Sequence, residues 1–119
     1  MRFDLDAEEL LRCYESGERD FQKIILIQVD LSGKDLSNTN FQSASLIDSN
    51  LSDCGLSNAK FDLANLINTN LSNAKLISTS IIAAHLIKTN FSNSDFSNSS
   101  LAYTYFLSAN FTEKLIINN

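Results

Sequence analysis

Large apolar side chains recur at every fifth position through most of the chain, from Phe21, Leu26, Leu31 and Leu36 through Phe91, Phe96, Leu101, Phe106, Phe111 and Ile116. Two residues before each lies a second series of mostly small side chains, among them Ala44, Ser49, Cys54, Ala59, Ala64, Thr69, Ala74 and Thr79. A helix returns to one face every 3.6 residues and a strand every 2, so neither buries every fifth side chain. The chain must turn within each unit, with both series pointing inward.

Segments such as ANLIN, TNLSN, AKLIS, TNFSN and ANFTE carry this pattern through about four-fifths of the chain. They resemble the pentapeptide-repeat family, whose usual unit is A(D/N)LXX. The resemblance implies an all-β solenoid, a right-handed quadrilateral β-helix with one pentapeptide per side and four per coil. Such a coil predicts a secondary period of 20, and the sequence has one. Phe21, Phe41 and Phe61 share a column, Phe91 and Phe111 share another, and Asp30, Asn50, Asn70, Asn90 and Asn110 form a candidate amide ladder. Just after the central residue of one side, Ile27, Ile47, Ile67, Ile87 and Leu107 form an outward apolar column. With coils one strand spacing apart, roughly four and a half of them make a rod of about 22 Å. Each coil is stable only against its neighbours, so the two ends need cover.

The start of the chain supplies one cover. In LDAEELLRCYESGERDF, Asp6 suits an N-cap, Glu9 stands where a capping box needs it, and Leu5 can pack on Leu10. Ala7, Leu10, Leu11 and Tyr14 form one apolar stripe, and Gly17 suits a left-handed C-terminal position. Residues 1–20 are expected to be a capping α-helix and link, and residues 21–119 the β-helix, in a single domain. The stretch ending GERDF and followed directly by repeats is similar to small cyanobacterial members of the family. At the other end Tyr103, Tyr105, Phe106, Phe111, Ile116 and Ile117 lie close to an unpaired coil edge. The resemblance to relatives that dimerise there implies a homodimer joined tail to tail; the tail folding over its own last coil is the alternative.

Composition narrows the function classes. A net charge of −5 argues against nucleic-acid binding, which needs clustered Lys and Arg. Pro and Trp are absent, and two cysteines, Cys13 and Cys54, are too few for a disulfide framework. With no apolar run near membrane-spanning length and no leader-like start, a cytoplasmic protein without membrane contact is expected. A narrow coil filled by Leu and Phe offers no pocket for reactive groups. His85 precedes a central Leu and should face solvent, and Cys54 sits at an inward site where a thiol behaves as an apolar group. No catalytic, cofactor or metal residue is expected.

The expected function is a non-catalytic interaction or scaffold module that binds an unidentified protein partner through its flat faces. The isoleucine column is the candidate surface, with Ile77, Ile82, Leu63 and Tyr103 expected to widen it; packing of the stacked isoleucines on one another is the competing explanation. The resemblance also implies an alternative, a DNA-mimicking modulator of DNA gyrase. Acidic Asp30, Asp35, Asp48, Asp53, Asp62, Asp95 and Glu113 are offset by Lys34, Lys60, Lys75 and Lys88, which weakens that alternative.

Overall fold

The structure, a computed structural model, describes residues 4–105, 107–111 and the backbone of 116–117. Helix α1 spans Ala7–Glu15, and the remainder is a stack of coils with extents of 36 × 22 × 21 Å for the whole chain. Parallel bridges join residues 20 apart at every fifth position, from Asp20↔Asn40 and Ile25↔Ser45 to His85↔Tyr105 and Asn90↔Asn110. Four bridge columns per revolution make the coil four-sided. We number the sides by their central residues: side one holds Phe21, Phe41 and Phe61, side two Leu26, Leu46 and Leu66, side three Leu31, Leu51 and Leu71, and side four Leu36, Leu56 and Leu76.

Most corners are tight turns, in which the N–H three residues past a centre donates to that centre's carbonyl, as from Ala64 to Phe61 at 2.9 Å and from Ala44 to Phe41 at 3.0 Å. Positive φ falls on the turn's third residue, for example Ser43 at 59°, Asn58 at 63° and Leu63 at 62°, as a type II turn requires. Asn and Asp fill many of these places because their short polar side chains tolerate the left-handed region. Between coils the central N–H donates to a carbonyl 19 residues on, as from Leu51 to Asn70 at 2.7 Å, so the backbone is paired from coil to coil.

The interior follows the sequence pattern. Central residues from Leu26 to Phe96 are buried, as are Ile24 and the residues two before each centre from Thr39 to Ser94; in the first coil Val29 is only partly buried and Lys34 is exposed. Phe41 stacks on Phe61 at 5.4 Å, Phe91 stacks on Phe111 at 5.1 Å, and Phe96 meets Phe91 edge-on at 4.9 Å. Inward hydroxyls reach back to the preceding coil: Thr69, Thr89 and Ser94 donate to the carbonyls of Leu46, Leu66 and Leu71 at 2.6, 2.7 and 2.6 Å. No buried polar side-chain atom among the described residues lacks a partner.

Helix α1 has the ends its sequence predicts. Glu9 N–H donates to Asp6 Oδ1 at 2.8 Å, and Asp6 N–H donates to Glu9 Oε1 at 3.4 Å, closing the capping box. Beyond Glu15, Gly17 has φ +104°; its N–H donates to Tyr14 O, and Glu18 N–H to Cys13 O, both at 3.0 Å, which is a Schellman ending. Leu10 is wholly buried, with Leu5, Ala7, Leu11 and Tyr14 packed beside it on the core.

One expectation fails near the C-terminus. Strand β1, Asp95–Phe96, pairs with β2, Ile116–Ile117, in the register Asp95↔Ile116 and Phe96↔Ile117, a separation of 21. Ile117, not Ile116, therefore aligns with the central column, and the five-residue count slips once after Phe111. Bridges elsewhere join residues 20 apart, so this pairing takes in one extra residue.

Candidate partner-binding face

The four sides differ sharply in what they turn outward. On side three, the residue before each centre is Asp or Asn, and the residue after each centre from Leu31 to Phe91 is Ser. Asn50, Asn70 and Asn90 each accept through Oδ1 the N–H of the serine two residues on, at 3.0 Å. The expected ladder oxygens thus serve Asx turns within each coil. Asp35 and Asp95 on side four do the same for Ser37 and Ser97, and also accept the serine hydroxyls at 2.6 Å. The Ser37 and Ser97 hydroxyls hold the two carboxyls below the usual range, helped by the serine N–H groups; for Asp30 the Ser32 N–H is the leading cause.

Side two is the apolar one. Ile27 and Leu107, at its ends, are 51% and 73% exposed, while Ile47, Ile67 and Ile87 between them are half-buried by their neighbours above and below. The column is therefore both packed on itself and open to solvent. Ile25 adds 48% exposure on the same side. At the corner shared with side one, Leu63 and Tyr103 are exposed, and Ile82 lies on side one itself. Ile77 departs from expectation: its column holds Ser37, Ser57 and Ser97 on side four, across the coil from the isoleucines. It does not widen the surface.

His85 and Tyr105 stack at 5.2 Å with rings 13° apart, joining this surface in the column before the centres. Ile25 and this stack were missing from the expected site, although the 20-residue spacing of 85 and 105 pointed to the stack. Of the expected dimer end, Tyr103 and Tyr105 are exposed, Phe111 packs on Phe91 and Phe96, and the backbone of Ile116 and Ile117 pairs with β1 of the same chain. Phe106 lies outside the described residues. The cap residues Glu9, Leu10, Leu11 and Tyr14 lie on α1 with Asp6 as its N-cap; of these Glu9 lines a recess of about 340 Å³, together with Leu5, Arg12, Cys13, Phe21 and Ile24, among others.

Cys54 donates to Leu31 O at 3.0 Å, and burial pushes its thiol up to about 11. Among the described residues no group of three or more His, Cys, Asp or Glu could hold a metal ion, and no helix is long and apolar enough to cross a membrane.

The model of pentapeptide repeats matches residues 20–58, 54–93 and 79–113. The chain belongs to the pentapeptide-repeat family. No curated protein matches it. Among solved structures of the family, Rfr23 from the cyanobacterium Cyanothece 51142 is similar at 26% identity and a TM-score of 0.56, the match covering 83% of this chain and 64% of that one. The pentapeptide-repeat protein alr5209 from Nostoc Pcc 7120 aligns at 21% identity and a TM-score of 0.52, over 94% of this chain and all of that one. QnrB1, a plasmid-mediated fluoroquinolone resistance protein, shares the fold at 20% identity and a TM-score of 0.54, over 86% of this chain and 64% of that one. This pentapeptide-repeat chain thus spans less than two thirds of the length of Rfr23 and of QnrB1.

Proposed function

We propose that this protein is a non-catalytic, cytoplasmic interaction module, a rod of the family's right-handed winding that binds a protein partner through side two. The carrying observation is the asymmetry of the rod: Ile27, Ile47, Ile67, Ile87 and Leu107 stand in register on one side, while side three turns Asp, Asn and Ser outward and side four mixes Ser, Asp and Lys with Ile77. A flat sheet face with an apolar stripe and a polar surround is built to exclude water from a contact, whereas the polar sides are hydrated. The test is capture by immobilised protein, comparing wild type with Ile67→Asp/Ile87→Asp and with a side-three control, Ser52→Asp/Ser72→Asp. A partner held by wild type and the control but not by the side-two variant, with melting unchanged in all three, is the expected result. Equal capture by all three overturns the reading, and unfolding of the side-two variant assigns the isoleucines to packing.

Imitation of duplex DNA has weaker support. The described carboxylates Asp20, Asp30, Asp35, Asp48, Asp53, Asp62 and Asp95 are interspersed with Lys23, Lys34, Lys60, Lys75 and Lys88 instead of forming a continuous negative row. Inhibition of gyrase supercoiling by the purified protein would reverse that preference.

A further inference from the structure

The order of charges along side two suits a second copy of the same chain. The corner column after the isoleucines reads Gln28, Asp48, Asn68, Lys88 and Ser108, one residue per coil, all at positive φ and all exposed. Asn68 is its midpoint, with Asp48 one coil to one side and Lys88 one coil to the other. We propose that side two pairs face to face with side two of a second copy, the rods antiparallel, about a two-fold axis lying across the rod at the level of Ile67 and Asn68. This rests on the reading of side two as a protein-binding face and names its occupant.

Under that rotation each column meets itself in reverse order, so that contacts are reciprocal, as an isologous interface demands. Asp48 faces Lys88 of the second copy and Lys88 faces Asp48, giving two ion pairs from a single column. Ile67 meets Ile67, Ile47 meets Ile87, and Ile27 meets Leu107. In the column before the centres, Ile25 meets Tyr105, Ser45 meets His85, and Asn65 meets Asn65. On the neighbouring edge, Lys23 comes opposite the ring of Tyr103, a cation–π arrangement. No like charges oppose one another. Both rods rise by the same strand spacing per coil, so side chains in register at one level stay in register at every level. Rods set parallel instead, about an axis running along them, would bring different columns together and leave Asp48 and Lys88 without each other.

A face about as wide as the rod and five coils long covers about 500 Å² per copy, or about 1,000 Å² in total, the lower bound for a specific contact. A contact of that size belongs with weak, reversible associations, so the pairing is sought at micromolar concentrations. Asp48 already accepts a hydrogen bond from Asn68 Nδ2 at 2.8 Å, which orients the carboxylate without removing it from solvent.

Sedimentation equilibrium of the full chain, from low to high micromolar concentration, tests the pairing. Wild type is expected to pass from monomer to dimer. Lys88→Glu sets two carboxylates against each other one coil to either side of the axis and should weaken the dimer at least tenfold, as should Asp48→Lys. The combined Asp48→Lys/Lys88→Glu exchange should restore it, which a role confined to folding would not produce. Far-UV spectra and melting of the four proteins verify that the exposed substitutions leave the fold intact. A wild type that stays monomeric, a dimer indifferent to all the reversals, or a dimer lost only with Phe106→Glu overturns the proposal. Each of these results leaves capture of a different protein by side two standing or falling on its own test.

Discussion

The Tyr14 hydroxyl donates to the Ser37 carbonyl oxygen at 2.9 Å, bridging 23 positions of sequence and fixing α1 to the end of the first coil. Arg19 closes over the same ring, its guanidinium carbon 3.5 Å from the centroid, and donates to Tyr14 O and Glu18 O at 2.8 Å. The helix is thus held at its apolar stripe by Leu10 and at its far end by Tyr14. Nine residues of isolated helix would not persist in water, so these contacts are what keeps the cap folded.

Truncating the buried anchor should cost more than removing the tether. Leu10→Ala is expected to lower unfolding free energy by about 2–5 kcal/mol, and Tyr14→Phe by about 0.5–1.5 kcal/mol. Urea unfolding followed by far-UV circular dichroism measures both; equal losses would mean that the helix does not cover the core.

Leu63 holds φ 62° while 63% exposed, so its side chain repays little of the strain of a left-handed corner. Asn occupies the equivalent corner at Asn58, Asn68 and Asn73. Leu63→Asn should therefore stabilise the rod by about 1 kcal/mol, read as a rise in melting temperature. A fall would show that Leu63 gains more from its neighbours than the corner costs it.

Asp30, Asp35 and Asp95 have folded-state pKa values below the ordinary 3.8. A depressed carboxylate contributes stability that is present above the unfolded pKa and lost as pH falls through the folded one. Thermal stability should thus decline on acidification below about pH 4. Asn keeps the same acceptor oxygen, as Asn50, Asn70 and Asn90 demonstrate, without titrating. The triple Asp→Asn variant should show a shallower acid limb than wild type in melting curves taken across that range; identical limbs would place the acid sensitivity elsewhere.

The two thiols should separate by reactivity. Cys54 is 1% exposed with its pKa near 11, whereas Cys13 is half-buried beside the recess under α1. Iodoacetamide at neutral pH should label Cys13 in the native protein and Cys54 only after unfolding, as mass spectrometry of peptides would show. Native labelling of Cys54 would mean that the coils open locally.

The repeat made most of this architecture legible, because every fifth side chain from Phe21 to Leu101 has one destination and the helix ends at Asp6 and Gly17 use strong local chemistry. What escaped was set by several residues at once. The slip that aligns Ile117 with Phe96 could not be read from a count of apolar positions, because Ile116 and Ile117 are adjacent and equally apolar. The surface around side two was partly readable: the isoleucine column stood out, yet His85 gained a partner only when Tyr105 was seen one coil away. Ile77 was misplaced because its apolar character says nothing about which side carries it.

Pairing at a separation of 20 also sets the arithmetic by which this chain can change length. Excising one full revolution, such as residues 60–79, would join coils that still match and shorten the rod by one storey. Excising a single pentapeptide would rotate everything beyond the junction by a quarter revolution, carrying the later isoleucines onto the adjoining side and splitting the stripe. Variation that preserves the stripe is therefore quantised in whole storeys, even though the unit of sequence is only a fourth as long.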